Sequence, residues 1–161
     1  MGFSVGIITI SDTASRGGRE DVSGDTIRQM IAGVGGETLA YTVVPDEVDR
    51  IQAAIRDFVD NRNLDVVLTT GGTGLSPRDV TPEAMAGVLD YEAPGIAEAM
   101  RAEGLKHTPR AMLSRAKAGV RRRTLIVNLP GSPKGVRESL GAVIDILQHA
   151  VDILRGAPVD H

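Results

Sequence analysis

Residues 65–83, DVVLTTGGTGLSPRDVTPE, join a run of strand length to a glycine-rich loop and then to a helix start. The run Asp65–Thr70 is rich in β-branched residues, which favour a strand. The longer run Phe3–Ile10 is apolar almost throughout, which is typical of a strand covered on both faces. Thr81-Pro82 predicts a helix with a threonine cap and proline at its first position. A buried strand that leads through a glycine loop into a helix is a building unit of α/β sheets.

The same alternation of strands and helices extends to both sides of this segment. Further strands are predicted at Phe3–Ile10 and Thr38–Val44, and residues 118–129 predict a strand pair that turns around three arginines. A polar loop is predicted at residues 11–24. Helices are predicted to start near Asp25, Pro45, Thr81, Pro94 and Pro133. We therefore expect a three-layer α/β/α sandwich with a mostly parallel sheet, formed by residues 1–161 as one domain.

Composition excludes several classes of protein. The chain has 161 residues and no cysteine, which rules out disulfides, thiolate zinc sites and cysteine nucleophiles. A net charge of −3 and only 2% aromatic residues provide neither a positive field nor stacking platforms for nucleic acid. The N-terminal apolar run reaches Asp12 too soon to span a bilayer, and no basic region precedes it. We expect a cytoplasmic enzyme or binding protein, with no nucleic-acid or membrane partner.

The glycine loop Gly71-Gly72-Thr73-Gly74 follows a predicted strand, at the edge where open α/β sheets bind their ligands. Its residues can expose consecutive backbone N–H groups as an anion-binding nest, and a helix starting at Thr81 could direct more N–H groups there. The Walker pattern fails because no lysine follows the glycines, and the dinucleotide fingerprint fails at Pro77. By itself the loop fits a phosphate site and a plain strand-to-helix turn equally well.

Two aspartates are predicted near the same edge. Asp79 follows the glycine loop, and Asp46 opens the helix after the second strand. Two carboxylates beside a polyphosphate suit Mg²⁺, which takes one or two protein carboxylates together with phosphate oxygens and water. Either aspartate could instead be structural, with Asp46 capping its helix and Asp79 bracing the loop through an Asx-type bond. Spacing alone favours these structural roles.

Two other segments, Ser11-Asp12 and residues 128–133, also lie at predicted strand ends. The three histidines carry no ligand spacing, because His107, His149 and His161 are scattered along the chain. We interpret them as surface residues rather than metal ligands.

The joint pattern of these segments resembles the MogA/MoaB family of molybdenum cofactor biosynthesis proteins, whose relatives include the G domain of gephyrin and its plant counterpart. The similar segments are Thr69–Gly74, Arg78–Ala84 and Asn128–Pro133, with Val44–Glu47 and Met112–Arg115 in addition. They occur in the family's order, so the resemblance covers essentially the whole chain.

The resemblance implies a molybdopterin-binding fold, usually a homotrimer. Enzymatic members adenylylate molybdopterin, whose terminal phosphate attacks the α-phosphorus of Mg-ATP and releases pyrophosphate. It implies that Asp46 and Asp79 are catalytic and hold Mg²⁺. The implied substrate-binding residues are Ser11, Asp12, Gly71, Gly72, Thr73, Gly74, Ser114, Pro130, Gly131 and Ser132.

This chemistry suits the residues that the chain has. The nucleophile is the substrate's own phosphate, so the protein needs no Ser–His pair and no general base, only positioning and charge neutralisation. Molybdopterin and ATP are the expected ligands, and a molybdenum-insertion protein is a possible downstream partner. The alternative is a MoaB-type protein that binds molybdopterin without transferring an adenylyl group. The presence of both Asp46 and Asp79 favours the enzyme.

Overall fold

The computed structural model describes residues 2–158, in which six strands form one sheet in the order β2-β1-β3-β6-β5-β4. The strands are β1 Phe3–Ile10, β2 Gly36–Val44, β3 Val66–Thr70, β4 Tyr91–Glu92, β5 Ala118–Arg121 and β6 Thr124–Leu129. Strand β1 pairs in parallel with β2 and β3, and β3 pairs in parallel with β6. Strands β4 and β5 run antiparallel at one edge. The sheet is therefore mostly parallel, which confirms the predicted α/β class.

Helices cover the sheet on both sides. They are α1 Asp12–Ser15, α2 Val22–Ala32, α3 Val48–Arg56, α4 Thr81–Ala86, α5 Pro94–Leu105, α6 Pro133–Val143 and α7 Leu147–Leu154. A π-helical turn at Asp57–Asn61 extends α3, and 3-10 turns lie at Pro109–Leu113 and Ile144–Ile146. No helix within residues 2–158 combines the length and the apolar character needed to cross a membrane.

Strand β1 shows why the central strands are apolar throughout. Val5 and Ile7 join a buried cluster with α2, α5, α6 and α7, whereas Ile8 and Ile10 join a second cluster with α3 and α4. Because side chains alternate between the two faces of a strand, a strand covered on both faces has no solvent side to fill with polar residues. Each isoleucine fully buried in this way contributes roughly 2–3 kcal/mol.

The first helical region differs from the sequence prediction. Helix α2 begins at Val22, three residues before the predicted start, because Asp21 caps it and its Oδ1 accepts from the Gly24 N–H at 2.9 Å. The predicted loop at residues 11–24 also contains the short helix α1, whose cap is Ser11. Both caps are side chains that the prediction placed in loop.

The predicted cap Thr81 is wrong, and the alternative role of Asp46 as a cap is excluded for the same reason. Helix α3 begins at Val48, so Asp46 lies before the helix and does not cap it. Helix α4 has Val80 at its cap position, and Thr81 is the first helical residue. The Thr81 hydroxyl instead donates to the Gly71 carbonyl oxygen at 2.9 Å. In both cases a long-range contact uses the side chain that local sequence assigned to the helix.

Candidate functional site

The carboxyl ends of the three central strands lie side by side. Thr9 of β1 pairs with Thr70 of β3, and Thr70 pairs with Leu129 of β6. Val44, at the end of β2, lies opposite Ile10. The four segments that follow these strands therefore meet at one edge of the sheet, which is where open α/β sheets bind ligands.

A cavity of about 580 Å³ opens at this edge, and we call it the carboxylate cavity because Asp46 and Asp79 line it. Its lining also includes the backbone of the glycine loop and the start of α6. The predicted site residues in its wall are Ser11, Asp46, Gly71, Gly72, Asp79, Gly131 and Ser132. Arg19 and Glu20 add charged side chains to the same wall.

A second cavity, of about 280 Å³, lies on the other side of the same two loops. We call it the apolar cavity because Ala97, Met100 and Leu113 are part of its wall. Thr73, Gly74, Ser114 and Pro130 are the predicted site residues that line it. Gly72 and Gly131 line the carboxylate cavity. Their chain neighbours Thr73 and Pro130 line the apolar cavity. The structure thus divides one predicted site into two neighbouring cavities.

The glycine loop needs its glycines at two positions. Gly71 has φ +105° and Gly72 has φ +73°, which side chains rarely tolerate. A Cβ at Gly71 would also collide with the Ile10 carbonyl oxygen, and one at Gly72 with Thr81 Oγ1. The Gly71 N–H donates to the Leu129 carbonyl at 3.0 Å. Within residues 2–158, the N–H groups of residues 72–74 have no acceptor, which fits the predicted anion-binding nest.

Helices α2 and α6 direct their N-termini toward the carboxylate cavity, and Val22, Ser23 and Pro133 are part of its wall. Ser132 caps α6, with its Oγ accepting from the Gly135 N–H at 3.0 Å. The Thr81 N–H of α4 donates to the Gly72 carbonyl at 3.1 Å, so it is not available to a ligand. The helix N-termini that favour an anion here are therefore those of α2 and α6, whereas the sequence predicted that of α4.

Asp46 is held by a reciprocal pair of hydrogen bonds with Asp12. Its Oδ2 accepts from the Asp12 N–H at 2.9 Å, and Asp12 Oδ1 accepts from the Asp46 N–H at 2.9 Å. Burial raises the pKa of Asp46; the Asp12 N–H opposes this effect, while the negative charges of Asp12 and Asp79 add to it. The carboxyl group is thus fixed in place at the cost of partial desolvation.

Asp12 supports Asp46 and does not line either cavity. Arg78 grips it with two hydrogen bonds, Nε to Oδ2 at 2.9 Å and Nη2 to Oδ1 at 3.0 Å. These bonds, the Asp46 N–H and the charge of Arg78 lower the pKa of Asp12, so it stays ionised. Sequence reasoning did not assign Arg78, because its partner lies 66 residues away in the chain.

Asp79 combines the two roles that the sequence left open. Its Oδ2 accepts from the Ser76 N–H at 3.0 Å, so it braces the loop, and its carboxyl group also lines the carboxylate cavity. Within residues 2–158, Asp46 Oδ1 and Asp79 Oδ1 have no hydrogen-bond donor, which leaves one oxygen of each for a cation. Two such oxygens suit Mg²⁺ that completes its shell with phosphate and water.

No group of three or more His, Asp or Glu side chains in residues 2–158 could hold a metal ion, so a cation at Asp46 and Asp79 would need oxygens from ligand and water. His107 is exposed and contacts Glu103 at 3.4 Å, as expected of a surface residue. His149 is half-buried on α7, and His161 lies outside the described residues.

Ser23 is a site residue that sequence reasoning missed. Its hydroxyl donates to the Gly131 carbonyl at 2.7 Å and so ties α2 to the loop that begins α6. It lay inside a segment predicted as loop, and its partner is 108 residues away, so no local signal could have found it.

Backbone donors, two helix N-termini and two carboxylates at one sheet edge are typical of α/β proteins that bind an anionic small molecule beyond their central strands. The comparison with protein families identifies the class more closely. Residues 6–149 match the MoCF_biosynth family model, described as "Probable molybdopterin binding domain". The chain belongs to this family.

Individual relatives agree with this membership. The chain is 42% identical to the molybdopterin adenylyltransferase of Helicobacter pylori strain J99, over 94% of this chain and 88% of that protein. It is 45% identical to the Drosophila melanogaster molybdenum cofactor synthesis protein cinnamon over 94% of this chain, but it spans only 26% of cinnamon. The crystal structure of the molybdopterin biosynthesis enzyme MoaB from Thermus thermophilus superposes with a TM-score of 0.91 at 54% identity, covering 98% of this chain and 99% of that one.

Proposed function

We propose that this protein adenylylates molybdopterin with Mg-ATP in molybdenum cofactor biosynthesis. The carrying observation is that Asp46 and Asp79 line one cavity beside a glycine loop with unpaired N–H groups. The near full-length similarity to a molybdopterin adenylyltransferase supports the same reaction. Transfer of a charged phosphoryl group requires donors for the phosphate oxygens and a place for a cation. The glycine-loop N–H groups supply the donors, and the two carboxylates supply the place for the cation.

The reaction balances without a protein nucleophile. An oxygen of the terminal phosphate of molybdopterin forms a bond to the α-phosphorus of ATP, and the bond from that phosphorus to the bridging oxygen of pyrophosphate breaks. A phosphate monoester is ionised at neutral pH, so no side chain has to remove a proton. The protein contributes alignment of the two phosphates and stabilisation of the charge on the leaving group.

The two cavities fit a reaction between two planar heterocycles that each carry phosphate. We propose that the pterin and the adenine enter from opposite sides of the glycine loop, so that their phosphates meet at residues 71–74. The apolar cavity offers aliphatic walls at Ala97 and Met100 for one ring. The carboxylate cavity offers the polar groups that polyphosphate and cation need.

Asp46 and Asp79 are the residues that would hold Mg²⁺. When bound, the ion supplies positive charge against the phosphate oxygens. The chain's own contribution is to fix both carboxylates in advance, Asp46 through Asp12 and Asp79 through Ser76. This preparation favours transfer over the binding-only alternative, because pterin binding alone gives no reason to hold two carboxylates side by side.

We further propose a cytoplasmic homotrimer in which residues 1–161 act as one domain. Helix α5 gives this assembly little support, because Ala97 and Met100 are buried within the chain and Leu105 is its one exposed large apolar side chain. Better support comes from Leu75, Met112 and Leu113, which are 63%, 69% and 52% exposed. Exposed apolar side chains of this size favour a subunit contact. Light scattering after size exclusion tests this, and a mass of one chain would contradict it. A downstream molybdenum-insertion protein is the partner that we propose for the product.

The reaction is tested by incubating the protein with molybdopterin, ATP and Mg²⁺ and measuring adenylylated molybdopterin and pyrophosphate. We expect equal amounts of both products, and none when EDTA removes the metal. Binding of molybdopterin without either product would contradict adenylyl transfer and leave the binding-only alternative.

A further inference from the structure

Arg115 connects the two cavities, although neither sequence nor family resemblance assigned it a role. It directly follows Ser114, which lines the apolar cavity. Its backbone N–H donates to the Thr73 carbonyl at 2.8 Å, and its Nε donates to the Gly74 carbonyl at 2.9 Å. Its Nη2 donates to the carbonyl of Asp79 at 2.8 Å. One residue thus holds both ends of the loop that joins the glycine residues to Asp79.

The guanidinium of Arg115 also pairs with Glu83. Nη1 and Nη2 contact Glu83 Oε2 and Oε1 at 2.6 and 3.3 Å, and this pair lowers the pKa of Glu83. Because Glu83 is on α4, the contact also ties the loop to a packed helix. Four of the five side-chain N–H groups of Arg115 thus donate to protein acceptors, so Arg115 is committed to holding the loop. Its effect on the site must therefore pass through the loop that it holds.

The loop has a tie to the strand end through Arg78, whose side chain bonds to Asp12, but the hydrogen bonds that Asp79 makes apart from Arg115 are local. Residues 75–78 are exposed. Asp79 uses both its N–H and its carboxylate on Ser76, three residues away, at 2.9 and 3.0 Å. These two bonds shape the turn but do not fix Asp79 relative to the sheet. Among the hydrogen bonds of Asp79 within residues 2–158, the one from Arg115 reaches a distant segment.

We propose that Arg115 is a positioning residue that sets the Asp79 carboxylate relative to the glycine loop and to the apolar cavity. The inference rests on the proposed function, since Asp79 matters only if a cation and phosphates bind beside it. A displacement of about 1 Å at a reacting centre can cost roughly a hundredfold in rate. Arg115 therefore acts on turnover more than on substrate affinity.

The test compares Arg115→Lys with Glu83→Gln. Lysine keeps the charge but cannot reach Gly74, Asp79 and Glu83 together, because it lacks the planar fork of arginine. We expect kcat to fall at least about tenfold, with the KM values for ATP and molybdopterin changing much less. Glu83→Gln removes the ion pair but leaves the bonds from Arg115 to the loop, so it should turn over nearly as the unchanged protein does. Equal losses in the two variants would overturn the proposal, because stability alone would then explain them.

Hydrogen exchange gives a readout that does not depend on catalysis. Backbone exchange at residues 75–80 should rise in Arg115→Lys and stay unchanged in Glu83→Gln. Added guanidinium should restore part of the turnover and of the protection in Arg115→Ala. If the unchanged protein makes no product but exchange rises as expected, the proposed function fails and the loop-holding role stands. Unchanged exchange at residues 75–80, or loss of folding in Arg115→Lys, would overturn the positioning role itself.

Discussion

The carboxylate cavity and the apolar cavity share two loops but differ in chemistry. The first has about 580 Å³ and carries Asp46 and Asp79, whereas the second has about 280 Å³ and carries aliphatic side chains from α5. Gly72 and Thr73 are neighbours in sequence, yet they line different cavities. In the proposed reaction, this difference lets one pair of loops serve a charged ligand group on one side and a ring on the other. The chemical character of each cavity depends on the secondary-structure element that packs beyond the loops.

The largest effect is expected from a substitution that removes one charge from the carboxylate cavity. Asp79→Asn should lower turnover at least about a hundredfold, or roughly 3 kcal/mol, because an oxygen that faces the cation loses its charge. Asparagine can still accept from the Ser76 N–H, so melting temperature and molybdopterin affinity should change little. Steady-state kinetics and a thermal melt check this together. Near-normal turnover of the folded variant would remove Asp79 from the mechanism.

Two glycines in the wall of the carboxylate cavity should separate binding from stability. A Cβ at Gly131 meets only Gly71 Cα, at 3.5 Å, so Gly131→Val should fold normally and lower molybdopterin affinity about tenfold by filling ligand space. Gly72→Ala should instead lose stability, because φ is +73° and its Cβ would collide with Thr81. Ligand titration and thermal melts distinguish them. Unchanged affinity of Gly131→Val would mean that the ligand does not approach that loop.

A smaller effect is expected in the apolar cavity. Within residues 2–158, Ser114 Oγ accepts one long hydrogen bond, from the Ala116 N–H at 3.3 Å, so Ser114→Ala should hardly change stability. If the hydroxyl contacts a ring substituent of the ligand, affinity should fall by about 1 kcal/mol, or roughly fivefold. Calorimetric titration with molybdopterin and with ATP measures which ligand is affected. A variant that binds both ligands normally would leave this cavity without a polar contact at Ser114.

The smallest effect is a gain in stability at Asp46. Burial raises the pKa of Asp46 above its ordinary value of 3.8, so the folded protein holds this proton more tightly than the unfolded chain. Protonated Asp46 therefore stabilises the folded protein. This contribution is complete below pH 3.8 and is lost as the pH rises through the raised pKa of Asp46. Asp46→Asn, which cannot ionise, should therefore melt a few degrees higher than the metal-free protein at neutral pH, while turning over more slowly. Melts in EDTA across pH should show the difference shrinking in acid. A difference independent of pH would contradict this origin.

Much of the fold could be predicted from local pattern. The nearly apolar composition of Phe3–Ile10 predicted a strand buried on both faces, and β-branched residues predicted the strand Val66–Thr70. Glycine at positions 71 and 72 indicated an unusual backbone conformation. Parallel strands place their carboxyl ends at one edge of the sheet, so the sequence also predicted which segments meet there. Helix starts were less predictable, because Asp46 and Thr81 look like caps until their distant partners are known.

The sequence by itself determined the α/β class, the gathering of the predicted segments at one edge and the need for Gly71 and Gly72, because each follows from residue type and chain order. Only the tertiary structure decided that the site is two cavities, that Asp12 and Arg78 support Asp46, and that Arg115 holds the loop of Asp79. These contacts join residues 34, 66 and 36 positions apart. A local pattern reports the backbone preference of a segment, whereas the partner of a charged side chain depends on where the whole chain packs.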